Sequence, residues 1–160
     1  MDFEERLQKA IRRGQRRSEA AAAEARLKAL SEEELKRLHT KYRLALSEHI
    51  ENCVRRLPNH FPGFNFETIY GEKGWGAAVN RDDIGRGGAG KAANFFSRLE
   101  MTIRPFSEYH VLDLSAKGTI RNKEIYSRSH FEKLEDADPD QYMELSDLWV
   151  LEYAELFAAD

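Results

Sequence analysis

The chain has 160 residues, of which 41% are hydrophobic and 33% charged, and its formal net charge is -3. That length suits one domain able to bury a core without staples. The composition is too apolar for a disordered chain and, with no long apolar run, too polar for a membrane span.

Asp2, Glu4 and Glu5 open the sequence without an apolar stretch of signal-peptide length, and Cys53 has no second cysteine to pair with. Both features point to a cytoplasmic protein. Charge is unevenly spread: from Glu132 onward ten acids face one lysine, a net -9, which leaves residues 1–131 at +6. Solvated helix faces and attraction between tail and body account for this more simply than a charged partner does.

Residues 2–57 are rich in Ala, Leu, Glu, Lys and Arg and contain no proline, which predicts helix almost throughout. In the first half the stripe is thin: Phe3, Leu7, Ile11, Gly14, Ser18, Ala21 and Ala25, spaced three or four apart. Such a stripe buries little, and its small residues suit close approach by a second helix. Residues 1–30 therefore read as a charged helical extension that mediates oligomerisation, and residues 31–160 as one α+β domain. Ser31 and Glu34 form a capping-box pattern compatible with a second helix starting there or with one helix running through. From Leu35 to Leu57 the stripe is stronger, with Leu46, Ile50 and Val54 widening it toward the core, and Pro58 is expected to stop the helix.

The period then changes to two. Residues 64–70 and 75–79 predict a hairpin, a glycine-rich loop follows at 85–90, and residues 94–104, 109–121 and 124–131 predict an antiparallel meander. Pairing Arg104 with Tyr109 and Arg121 with Glu124 aligns the apolar faces, setting Leu99 beside Leu114 beside Phe131 and Ile120 beside Ile125. The small residues Ser97, Ala116, Gly118, Ser127 and Ser129 then share that face and leave room for a helix. Asp138 and Pro139 open a final helix to about Ala158. The layout, a long helix, a meander and a closing helix, resembles that of small curved-sheet α+β folds such as cystatin-like domains.

Motifs with chemistry are sparse. Residues 85–92 read G-R-G-G-A-G-K-A, a P-loop match up to Ala92, where the hydroxyl that holds magnesium is missing, and no strand–helix context surrounds it. Nucleotide binding is not expected. The assumed register places Glu100, Asp113 and Glu132 abreast on the polar face, a row that would raise a carboxyl pKa, hold a hard metal or serve as an acid/base pair unless neighbouring cations neutralise it. Arg86, Lys91, Arg98, Lys117, Arg128 and His130 are candidate anion contacts, with Arg121, Tyr109, Tyr126 and Phe96 nearby. The acids offset them, so nucleic acid is disfavoured as a partner. Neither the five histidines nor Cys53 suggests a metal set or a nucleophile, and no motif implies a cofactor.

The favoured function is a non-catalytic, homodimeric interaction or adaptor protein that pairs through its N-terminal helix or there meets a protein partner. The alternatives are a small metal-dependent enzyme or metal-binding protein using the acidic row, and an anion- or nucleic-acid-binding module.

Overall fold

The computed structural model describes residues 2–86 and 92–160. The chain divides into two compact units, Met1–Arg37 and Leu38–Asp160. Helix α1 (Phe3–Val54) passes through Ser31–Glu34 without a break, so the capping-box residues do not start a new helix. In the first unit every described residue of 2–28 is exposed.

The second unit is a five-stranded antiparallel sheet in the order β1-β2-β3-β4-β5 with helices against it, the α+β fold expected. Its strands are β1 (Asn65–Ile69), β2 (Trp75–Arg86), β3 (Ala92–Ile103), β4 (Val111–Ile120) and β5 (Lys123–Lys133), and it closes with α3 (Pro139–Ala159). Pro58 does not end the long helix. It lies in the first turn of a short α2 (Leu57–His60), where proline has no hydrogen bond to lose. Strand β2 runs seven residues past the expected end at Val79, so Gly85 and Arg86 belong to the strand and not to the glycine-rich loop.

One face of the sheet carries the core. Val79, Leu99, Met101, Ile103, Leu112 and Leu114 are fully or almost fully buried there, with Leu46, Ile50 and Val54 of α1 and Tyr142 and Tyr153 of α3. Three tyrosine hydroxyls bind α3 to the sheet: Tyr142 donates to the Leu112 carbonyl at 2.7 Å, Tyr153 to that of Thr119 at 2.9 Å, and Tyr126 of β5 to that of Trp149 at 2.8 Å. Each is a polar tip on a buried ring, and burial pushes all three phenol pKa values up.

The registers differ from expectation in two ways. Arg104 donates its amide to the carbonyl of Asp113, not to the region of Tyr109, and Leu99 lies opposite Gly118. A slide of this even size preserves the faces of β3 and β4. Between β4 and β5 the difference is even at the turn and odd beyond it. Arg121 and Asn122, at φ 48° and 70°, form the two-residue turn, and Ile120 pairs with Lys123 instead of Ile125. Positive φ at both central positions is the type I′ signature, and its twist matches that of the flanking strands. An irregularity at Gly118/Thr119 follows, with Thr119 opposite Glu124 and Gly118 opposite Tyr126, leaving Ile125 as the extra residue.

Beyond that bulge β5 shows the opposite face to the one expected. Ser127, Ser129 and Phe131 point away from the helices and are exposed, whereas Tyr126 is buried on the helix side. Phe131 lies opposite Asp113, not beside Leu114.

His39 of α1 is buried at 3% exposure and its Nε2–H donates to the Arg104 carbonyl at 3.1 Å. The ring packs edge-on against Phe106. Burial, aided by the charge of Arg43, holds its pKa below 6.5, while the carbonyl opposes that shift. The unfolded chain therefore binds a proton more readily, so stability is fully present above about pH 6.5 and declines as pH falls toward the folded pKa. The expected slope is at most about 1.4 kcal/mol per pH unit. In urea melts between pH 7 and 5, His39→Gln should flatten the acid side of the profile relative to the parent. Equal slopes would remove His39 as the source.

Candidate functional site

The row of Glu100, Asp113 and Glu132 does not form. Glu100 lies opposite Lys117 and Asp113 opposite Phe131, while Glu132 lies opposite Leu112 on the helix side of the sheet. The one-residue shift in β5 separates Glu132 from the other two.

Several neighbouring basic side chains already have partners. Arg98 contacts Glu67 at 2.7 Å and Glu100 at 3.6 Å, and His130 contacts Glu132 at 2.8 Å. Arg128 grips Glu152 with two bonds of 2.7 and 3.3 Å and lies over the rings of Tyr126 and Trp149, on the helix side. Arg121 lies over Phe95 and 3.7 Å from Asp160. Lys117 is exposed and lines a polar groove with Lys73, Glu100, Arg104 and Ser127, where charges of both signs mix. The side chain of Arg86, Lys91 and the P-loop-like segment 87–91 lie outside the described residues.

A cluster that the sequence reading passed over joins α1 to α3. His49 and Cys53, four residues apart, present their polar atoms on one side of α1, because residues at that spacing stack along a helix. Asp147 reaches them from α3. Its Oδ1 accepts from His49 Nε2 at 2.7 Å and from the Cys53 thiol at 3.0 Å, and Sγ and Nε2 are 3.6 Å apart. All three residues are of intermediate burial. Desolvation pushes the Cys53 pKa up to about 12, and the bond to Asp147 and its charge add to this against a smaller opposing effect of Arg56.

That geometry is poor for a nucleophile. A relay needs histidine to face the thiol with one nitrogen and its orienting acid with the other, and here Nε2 faces both. The thiol is also held protonated, whereas the thiolate is the reactive form. What the arrangement does offer is convergence: among the described residues it is the one group of three whose ligand-type atoms lie within 4.8 Å of one another. The available signal was the His-x-x-x-Cys spacing on a helix. Asp147, ninety-four residues further on, gave none.

No helix among the described residues is long and apolar enough to cross a membrane. No known protein family, curated protein or solved structure matches the chain.

Proposed function

We propose that the chain is a non-catalytic interaction protein that pairs with a second copy of itself through the N-terminal part of α1. The observation that carries this reading is exposure: Phe3, Leu7 and Ile11, the apolar stripe, are 75%, 40% and 52% exposed on a helix that needs packing to be stable.

Charge disfavours one of the two directions in which a second copy could pack. Residues 6–17 carry Arg6, Lys9, Arg12, Arg13, Arg16 and Arg17 and no acid, while residues 18–37 mix Glu19, Glu24, Glu32, Glu33 and Glu34 with Arg26, Lys28, Lys36 and Arg37. A parallel pair would stack cations on cations. An antiparallel pair avoids that stack: crossing at the alanines 20–23, where small side chains permit close contact, it sets Lys9 and Arg12 of each helix beside Glu32, Glu33 and Glu34 of the other, while Arg17 meets Arg26.

Light scattering of the full chain at about 10–50 µM, a range suited to modest interfaces, should give a dimer mass. Deleting residues 1–30 should leave a folded monomer, and Leu7→Glu with Ile11→Glu should do the same in the full chain. A full chain that runs as a monomer removes the proposal. A monomer that binds oligonucleotides in a salt-sensitive manner would replace it with an anion-binding role for the arginine cluster.

A further inference from the structure

We propose that His49, Cys53 and Asp147 form a binding site for a single divalent zinc-type ion, which ties α1 to α3. The donor set is one imidazole nitrogen, one sulfur and one carboxylate oxygen, the three ligand types zinc takes. Sulfur and nitrogen select against calcium and magnesium, which prefer oxygen throughout.

Geometry fits with a small expansion. Tetrahedral coordination at about 2.3 Å to sulfur and about 2.0 Å to nitrogen and oxygen sets sulfur about 3.5 Å from nitrogen and about 3.5 Å from oxygen, with nitrogen about 3.3 Å from oxygen. The corresponding separations here are 3.6, 3.0 and 2.7 Å. The first already matches to within about 0.1 Å. The other two are contracted because hydrogen bonds from the thiol and the imidazole N–H draw the donors onto one oxygen. An ion entering the cluster displaces the thiol proton to solvent, the proton of the neutral imidazole passes from Nε2 to Nδ1, and the ion binds the lone pairs left on sulfur and Nε2.

Two further features agree. Asp147 is 46% exposed and His49 29%, so the ion can enter and water can complete the fourth position. A thiolate and a carboxylate together cancel a divalent charge, so Arg56, the cation that acts on Cys53, does not face a net positive centre. A helix pair chelating at i and i+4, with the third ligand from another element, is a familiar way to build such a site.

Cobalt(II) is the probe, because Cys53 is the sole cysteine and a thiolate-to-cobalt absorption band can arise from no other residue. The reduced, chelator-treated full chain should take up one equivalent of Co2+ with a near-ultraviolet thiolate band and tetrahedral visible bands. Zn2+ should abolish both, and its addition should raise Tm. Cys53→Ser should eliminate the near-ultraviolet band, and Asp147→Asn should weaken uptake at least about 10-fold. Far-ultraviolet circular dichroism separates misfolding from lost binding, and Asp147→Asn, at a partly exposed position, keeps the test open if Cys53→Ser fails to fold. The absence of a thiolate band in excess Co2+, saturation at half an equivalent, or uptake unchanged by Asp147→Asn would each overturn the site. Oligomeric state is measured separately, so failure here leaves the pairing of the N-terminal helices untouched.

Discussion

Replacing Tyr153 with alanine is expected to destabilise the domain by about 3–5 kcal/mol, the range for deleting a large aromatic from a core. Tyr153 has no exposed surface. Its ring lies against Gly118, near Phe64 at 6.4 Å and stacked with Phe157 at 6.3 Å, and its hydroxyl closes the bond to Thr119. Alanine leaves a void among these groups and leaves the Thr119 carbonyl without its donor. Since domains of this size are stable by about 5–15 kcal/mol, a large share of the total is lost. Tyr153→Phe keeps the ring and should cost only about 1 kcal/mol, the net worth of one hydrogen bond. Urea midpoints for the two variants measure the difference. A loss below about 1 kcal/mol for the alanine variant would mean that α3 does not rest on the sheet through this ring.

Which parts of the fold the sequence discloses depends on whether the relevant signal is local. The helix of residues 3–54 is local: an alanine-, glutamate- and arginine-rich stretch with no proline leaves few alternatives, and the apolar stripe from Leu46 to Val54 marks the end that is buried. Asp138 and Pro139 likewise mark the start of α3, where the Asp138 carboxylate accepts from the Asp140 amide. Strand existence followed from alternation. Strand register did not, because alternation is unchanged by an even slide, and β3 and β4 pair four residues away from the expected alignment with every face preserved.

The inversion of β5 comes from a feature that composition hides. Arg121 is an ordinary-looking residue for a strand, and nothing in its side chain announces φ > 0. The partner that holds the turn is on another strand: Asn122 accepts from the Phe96 amide at 2.8 Å and donates to the Asn94 carbonyl at 2.9 Å. A turn fixed by a third strand, followed by a bulge, moves Glu132 to the helix side and dissolves the acidic row. The His49–Cys53–Asp147 cluster was hidden for a related reason. Two of its members follow from helical spacing, but the third is brought to them only by docking α3 beside α1.

Gly76→Ala is expected to be the most disruptive small substitution in the sheet, at about 3 kcal/mol or more, at or above the top of the usual range for overpacking. Gly76 pairs with Thr102, and a methyl group placed on it would run into the carbonyl oxygen of Met101 and crowd the Cα of Thr102. These are backbone atoms, so no rotamer change relieves the contact and the two strands must part. The positions around it allow little retreat. Met101 and Ala77 are fully buried beside it, and Gly74, at φ 117°, holds a conformation open to glycine while a Cβ there would lie 2.6 Å from the Ile103 carbonyl. Gly71 provides the comparison: it too has positive φ, at 105°, but its Cβ would meet nothing within 4 Å. Alanine at Gly71 should therefore cost only the backbone strain, about 1–2 kcal/mol. Thermal melts of the two variants should rank Gly76→Ala well below Gly71→Ala, and hydrogen exchange should show the loss concentrated in β2 and β3. Equal melting points would mean that the close approach of the strands at Gly76 yields to a methyl group as cheaply as the backbone strain at Gly71 is borne.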